Sequence, residues 1–127
     1  MEGVPVSSPA ANRAKGSRWE VDIVNGLRSL GFEVDRLHLN GKEDEGDVVV
    51  REDGIYTVIE AKSGALHPSD FIRQADLEAK NFAKHRGLDM DDVEGIVICK
   101  TRGKPWHEAV VLMSMDTYFN IKHDKDI

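Results

Sequence analysis

The chain has 127 residues, of which 40% are hydrophobic and 31% are charged, and its formal net charge is −6. This length fits one domain with a hydrophobic core of its own. No apolar run approaches the roughly 18 residues that a membrane-spanning helix needs. The first residues also lack the apolar core of a signal peptide, so the sequence predicts a cytoplasmic protein.

The first predicted element is a helix over residues 17–30. Ser17 and Glu20 have the S-x-x-E spacing of a capping box, apolar residues follow at helical spacing, and Gly31 supplies a stop. Residues 1–15 contain Pro, Ser, Ala and Gly and predict a flexible arm. The domain is then expected to span residues 16–121, with a charged tail over 122–127. Residues 32–37 alternate apolar and polar side chains, which is typical of a half-exposed strand.

A β-hairpin is predicted next. Its strands, GDVVVR and IYTVIEAK, flank Asp53-Gly54, a dipeptide that tolerates the positive φ angles of a type I′ turn. Counting outward from this turn places Asp47 opposite Glu60. Because both faces of the hairpin carry apolar residues, its strands are expected in the middle of a sheet that is covered on two sides.

A second helix is predicted over residues 69–87, with Ser69 as a possible cap and Gly87 as a stop. Residues 95–100 and 108–113 predict two further strands, and residues 115–121 a short terminal turn. The order helix, strand, hairpin, helix, strand, strand predicts an α/β sandwich.

Three ionisable side chains are expected to converge on this hairpin. Glu60 and Lys62 project from one face because they are two residues apart on a strand, and Asp47 joins them from the paired strand. Two carboxylates that close repel each other unless a proton or a cation intervenes. Mg²⁺ is commonly held by one or two protein carboxylates together with substrate phosphate. Glu20, near the buried side of the first helix, is within reach as a further carboxylate.

In order and spacing these residues resemble the PD-(D/E)xK nuclease superfamily. The sequence reads KGSRWE, then GD, then IEAK, which is most similar to the archaeal-type Holliday-junction resolvases and their phage-encoded relatives over residues 15–121. The resemblance assigns Glu20 as the acid of the first helix, Asp47 and Glu60 as the strand acids, and Lys62 as the lysine of the motif. Gly46 departs from the pattern, because it stands where the superfamily has its named proline.

The resemblance implies a restriction-endonuclease-like sandwich with a central mixed β-sheet flanked by helices. It also implies a Mg²⁺-dependent endonuclease, with Mn²⁺ as a substitute, whose metal is held by Asp47, Glu60, Glu20 and the backbone carbonyl of Ala61. For the resolvase branch it implies a homodimer that cuts opposing strands of a four-way DNA junction in recombination and repair.

Seven residues are candidates for DNA contact. The loop after the strand at 95–100 is basic and contains Gly and Pro, so it could hold phosphates, and the residues at the start of the first helix lie near amides that favour anions. Gln74 lies near the inward stripe of the second helix, where some related nucleases place a glutamine. The set is Lys15, Ser17, Arg18, Gln74, Lys100, Arg102 and Lys104.

Each assignment has a structural alternative. Glu20 could only complete the capping box, Lys62 could be a solvated strand end paired with Glu60, and Asp47 could cap a turn after Gly46. Gln74 and the basic loop could simply be solvated. The functional alternatives are a nuclease of the same superfamily with another DNA substrate (an exonuclease, a nickase or a restriction-type enzyme), a non-catalytic DNA-binding module of the same fold, and a structural protein that binds no nucleic acid.

Overall fold

A computed structural model describes residues 9–38 and 44–123, with side chains in the first helix from Gly16 onward. Two single-turn 3-10 helices, Met90–Asp92 and Trp106–Glu108, precede the last two strands. The other elements are, in chain order, α1 (Pro9–Ser29), β1 (Glu33–Arg36), β2 (Val48–Glu52), β3 (Ile55–Lys62), α2 (Pro68–Arg86), β4 (Val93–Cys99), β5 (Val110–Leu112) and α3 (Met115–Phe119).

The five strands form one mixed sheet in the order β1-β2-β3-β4-β5. Neighbouring strands are antiparallel except β3 and β4, which are parallel because α2 carries the chain back between them. The hairpin register is the predicted one, with Glu52 opposite Ile55 and Val49 opposite Val58. The turn residues Asp53 and Gly54 both have positive φ, at 51° and 79°.

Helices cover both faces of the sheet. On one face, α1 packs Trp19 and Ile23 against Val48 and Ile59, and the Trp19 indole Nε1 donates a hydrogen bond of 3.2 Å to the Ile98 carbonyl. On the other face, α2 packs its small and aromatic residues against the hairpin; this cluster contains Val49, Val58, Ala79, Phe82 and Ala83. The prediction that the hairpin lies centrally and is covered on two sides is therefore confirmed.

The start of α1 differs from the prediction. The helix begins at Pro9 rather than at residue 17, so Ser17 lies inside it and the capping box is wrong. The physical reason is that residues 10–15 are mostly Ala, Arg and Lys, which are strong helix formers, and Pro is favoured in the first turn of a helix. Residues 9–15, predicted as part of a flexible arm, are helical. Residues 1–8 of that arm and 124–127 of the predicted tail lie outside the described residues.

The second helix begins at Pro68, a residue type favoured in the first turn, and its N-cap is His67, so Ser69 lies inside the helix and its predicted capping role is wrong. The helix ends at Arg86, and Gly87 follows in the left-handed conformation of the predicted stop. The short terminal element α3 ends in the same way at Asn120. Within residues 9–38 and 44–123, no helix is long and apolar enough to cross a membrane.

Candidate active site

Asp47 and Glu60 meet where β2 and β3 come together. Asp47 directly precedes β2, and its backbone N–H donates to the Ile59 carbonyl at 3.0 Å. Its carboxylate Oδ2 accepts a hydrogen bond of 2.8 Å from the backbone N–H of Ala61. Since Asp47 is bonded to the residues on either side of Glu60, the two acids are neighbours at the same end of the sheet.

The two carboxylates are crowded and partly removed from water. Burial, then the negative charge of Glu60, raises the pKa of Asp47 to about 8, although the Ala61 N–H bond works in the opposite direction. Glu20 adds a smaller effect of the same sign as Glu60. Keeping both carboxyl groups ionised is therefore unfavourable, and a bound proton or a cation would relieve the repulsion.

Lys62 lies beside Glu60, two residues further along β3. Its ammonium Nζ is 3.4 Å from Glu60 Oε1, in a pair whose side chains are 28% and 8% exposed. The same ammonium lies 4.9 Å from the centre of the Phe71 ring of α2. The ion pair considered as an alternative is therefore present, but it is largely buried and is not a solvated strand end. Glu60 Oε2 is buried and has no hydrogen-bond partner among the described residues.

Glu20 is held by Arg36, a residue that the sequence analysis did not single out. Arg36 Nη2 lies 2.6 Å from Glu20 Oε2 and 3.3 Å from the Ser17 hydroxyl. This pair joins α1 to the end of β1, next to Asp47. The sequence signal for it is the single arginine within the strand pattern over residues 32–37, one residue before its end.

Glu78 is a further acid of this site that sequence reasoning missed. It is 2% exposed on α2, and neither carboxyl oxygen has a hydrogen-bond partner in the described part of the chain. Burial, followed by contact with the Glu60 carboxyl and its charge, raises its pKa to about 10. Glu78 is therefore protonated at neutral pH. The signal that could have found it is an acid in the apolar stripe of α2, between Ala75 and Phe82.

Gly46 is required by the close approach of the chain to β3. Its φ is +96°, and a Cβ at this position would lie 2.8 Å from Val58 Cγ1 and 3.5 Å from Glu78 Oε2. Proline, whose ring holds φ near −65°, cannot adopt this conformation. The absence of the superfamily's proline therefore has a direct conformational reason here.

The residues predicted to contact DNA are only partly brought together. The Lys100 N–H donates to the Lys62 carbonyl at 2.9 Å, so the basic loop begins beside the end of β3, and Arg102 and Lys104 are exposed within it. Ser17 and Arg18 are exposed on α1, and Gln74 is half-buried on α2.

The helix-terminus argument for two of these residues is wrong. Because α1 begins at Pro9, Lys15 and Arg18 lie in its interior and not beside its N-terminal amides. The side chain of Lys15 lies outside the described residues. Any contact of these lysine and arginine side chains with phosphate would therefore be a direct ionic one.

The donor set fits a hard divalent cation in number and type. Across residues 9–38 and 44–123, no group of three or more His, Cys, Asp or Glu side chains is arranged to hold a metal ion. Two carboxylates, however, are a common protein contribution to Mg²⁺ sites, and Asp47 and Glu60 supply them. Glu20 is engaged by Arg36, so its role as a ligand remains a prediction, as does that of the Ala61 carbonyl.

The chain is similar in sequence to an archaeal junction endonuclease. The chain is 33% identical over 84 residues to the crossover junction endodeoxyribonuclease Hjc of Sulfolobus acidocaldarius, and the match covers 63% of this chain and 59% of that protein. It thus spans less than two thirds of the length of this curated relative. No protein-family model matches the chain.

Among solved structures, the chain is similar to Hjc of Archaeoglobus fulgidus, described as a Holliday junction resolvase from an archaeal hyperthermophile. The TM-score is 0.50 and the identity 20%, over 77% of this chain and 71% of that one. The chain therefore has the restriction-endonuclease-like fold predicted for it, and its resemblance to the archaeal junction resolvases is confirmed.

Proposed function

We propose that this protein is a metal-dependent DNA endonuclease that resolves four-way junctions during recombination and repair. The observation that carries the proposal is the meeting of Asp47 and Glu60 at one end of the sheet, with the Lys62 ammonium 3.4 Å from Glu60. The names of the two similar archaeal proteins support the junction as the substrate.

Asp47 and Glu60 would hold Mg²⁺ or Mn²⁺, with the Ala61 carbonyl and Glu20 as further candidate ligands. When bound, the cation would polarise the scissile phosphodiester and offset the negative charge that builds up on its oxygens. Lys62 would orient the attacking water or neutralise a phosphate oxygen. In the hydrolysis, the water oxygen would bond to phosphorus and give up a proton to solvent, the P–O bond on the opposite side would break in line, and the departing oxygen would take up a proton from solvent.

The decisive experiment compares three labelled substrates, a four-way junction, plain duplex and single strand, each with Mg²⁺ or with chelator. We expect junction cleavage that requires the metal. Glu60→Ala is expected to lose cleavage and keep junction binding, whereas Glu52→Ala, which removes an exposed acid of β2 at the hairpin turn, is expected to keep both.

Other outcomes would favour the alternatives. Equal cutting of all three substrates would contradict the resolvase assignment, but the protein would still be a nuclease. If the wild type binds the junction but does not cut it with Mg²⁺ or Mn²⁺, the protein is a binding module of the same fold. DNA binding that is absent, or that does not weaken with salt, would contradict both.

The proposed enzyme acts as a homodimer, because a four-way junction is resolved by two symmetric cuts and each chain has one site. Light scattering is expected to give twice the mass of one chain. In mixtures of wild type and Glu60→Ala, mixed dimers would nick one strand without resolving the junction. Full resolution that falls only in proportion to the wild-type fraction would contradict a dimer with one cut per subunit.

The basic loop would supply phosphate contacts beside the active site. The loop begins next to Lys62, and three of its basic side chains are exposed: Lys100, Arg102 and Lys104. Ionic contacts with phosphate position a protein on DNA without reading its sequence. Action on DNA also agrees with the predicted cytoplasmic location.

A further inference from the structure

The segment that leads into Asp47, residues 44–47, is tied to the C-terminal half of α2. Asn81, which is buried, donates from Nδ2 to the Asp44 carbonyl at 2.8 Å. Glu45 Oε2 accepts from His85 Nδ1 at 2.7 Å and also from the Arg86 guanidinium. Two consecutive residues of the segment are thus bonded to one helix.

The Glu45 contact with Arg86 is a partly buried ion pair. The Glu45 side chain is 12% exposed, and the Arg86 guanidinium lies over the Phe82 ring at 3.9 Å. Both partners of Glu45 lie on α2, a helix that packs on the sheet.

The chain between Glu45 and Asp47 has little stiffness of its own. Gly46 separates them, and glycine has the widest choice of backbone conformations. Beyond it, bonding to the sheet begins at Asp47, whose N–H donates to the Ile59 carbonyl at 3.0 Å and whose carbonyl accepts from the Leu37 N–H at 2.8 Å. Residues at the end of a strand open more readily than those in its middle. The contacts of Glu45 restrain the chain on the side of Asp47 that the sheet does not hold.

We propose that Glu45 is a positioning residue, which through Arg86 and His85 holds segment 44–47 on α2 and so keeps the Asp47 carboxylate at the Ala61 amide beside Glu60. Its consequence for metal binding rests on the proposed function. Its consequence for Asp47 itself does not, because the Ala61 N–H reports the position of that carboxylate without metal or DNA.

The first measurement is hydrogen exchange of the Ala61 amide by NMR in metal-free protein. In Glu45→Ala we expect this amide to exchange about tenfold faster or more, the size expected from losing a charge-assisted hydrogen bond. The amides of Thr57 and Val58, in the middle of β3, should be unchanged. Arg86→Met, which retains an apolar side chain over Phe82, is the second variant and should give the same result if Glu45→Ala does not fold.

The second measurement is the dissociation constant of Mn²⁺, obtained by titration of DNA-free protein. We expect Glu45→Ala to weaken binding about 10- to 100-fold, as residues behind a metal ligand do, and Glu45→Gln, which still accepts hydrogen bonds, to recover part of the loss. Arg73→Met, which removes an exposed ion pair with Asp70 on the same helix, is the control and should change neither measurement.

The two measurements separate the possible failures. Wild-type exchange at Ala61 in folded Glu45→Ala and Arg86→Met would overturn the positioning role, even if the enzyme cuts DNA. The opposite result is also possible: the wild type binds no Mn²⁺ and cuts no junction, while Glu45→Ala still speeds up exchange of the Ala61 amide. That result would overturn the proposed function and leave the positioning role supported.

Discussion

Glu78 stands where α2 otherwise presents small or apolar side chains to the sheet, and it is 2% exposed. Its carboxyl lies next to Glu60, and a folded protein tolerates a buried acid of this kind by keeping its proton. The candidate active site therefore combines acids of unlike character. Glu60 is paired with Lys62, Asp47 accepts a backbone N–H, and Glu78 is a neutral carboxyl behind them.

The raised pKa of Glu78 predicts a pH-dependent stability. The unfolded chain releases this proton near pH 4.5, whereas the folded chain keeps it until about 10. The free energy of unfolding should therefore fall as the pH rises between these values. Glu78→Gln removes the contribution, so its stability relative to wild type should be more favourable at pH 8 than at pH 5. Urea unfolding in chelator measures this. An equal difference at both pH values would contradict it, and the exposed Glu52→Gln is the control.

The backbone conformation of Gly46 gives a second prediction. Gly46→Ala introduces both a strained positive φ and a contact of 2.8 Å with Val58 Cγ1, so it should destabilise the fold by about 1–3 kcal/mol or more. Gly64→Ala is the matched control, because Gly64 has a φ of +128° and open space around it. Thermal unfolding that shows equal losses for the two variants would contradict the role assigned to the Val58 contact. Gly46→Pro, although it restores the superfamily's residue type, should be the least stable.

At the scale of elements, the site depends on how closely α2 approaches the sheet. Gly95 of β4 is a point of close contact, since a Cβ there would lie 2.3 Å from the Ala75 carbonyl oxygen. α2 in turn carries Glu78 and the residues that hold segment 44–47. The helix therefore sets the depth at which these side chains meet β3.

Gly95→Ala should push α2 away from β4. We expect a loss of about 1–3 kcal/mol, the usual cost of overpacking, and weaker Mn²⁺ binding through the displaced segment 44–47. Gly16→Ala in α1 is the opposite case, because nothing lies within 4 Å of its added Cβ, and alanine should stabilise the helix by about 0.5–1 kcal/mol. Denaturant unfolding of both variants tests this, and a stabilising Gly95→Ala would contradict the close contact.

Local signals in the sequence predicted the elements that depend on local chemistry. Asp53-Gly54 determines the turn and hence the register that brings Asp47 to Glu60. The start of α1 was not predicted, because the capping signal of Ser17 competed with good helix formers ahead of it. Arg36, Glu45 and Glu78 were missed for another reason. Each of the three contacts a residue that is distant in sequence: Glu20, Arg86 and Glu60, respectively. These contacts form only when α1 and α2 pack on opposite faces of the sheet.

Over the whole molecule, the net charge of −6 disfavours contact with DNA phosphates, so the proposed DNA binding would depend on a local cationic surface. The basic loop after β4, Lys100–Lys104, is the candidate that lies beside Lys62. An acidic body around it would repel DNA held in the wrong orientation.

This arrangement predicts a strong salt dependence. Arg102→Glu together with Lys104→Glu should weaken junction binding, and the slope of log affinity against log salt should fall by about one for each ionic interaction with phosphate that the substitutions remove. Fluorescence anisotropy over a range of salt concentrations measures it. Unchanged slopes would place the phosphate-binding surface elsewhere, and Arg51→Glu, an exposed change at the opposite end of the hairpin, is the control.

The five described strands lie in the sheet in the same order as in the chain. Each strand after the first therefore pairs with the strand that precedes it in sequence. During synthesis the sheet can therefore grow in one direction, from the first strand to the fifth, with one helical crossover on the way. Asp47 and Glu60 come together as soon as the hairpin forms. Glu45 and Glu78 make their contacts only after α2 packs on the sheet. The ribosome would thus release a chain in which the two candidate catalytic acids pair early and are fixed in position late.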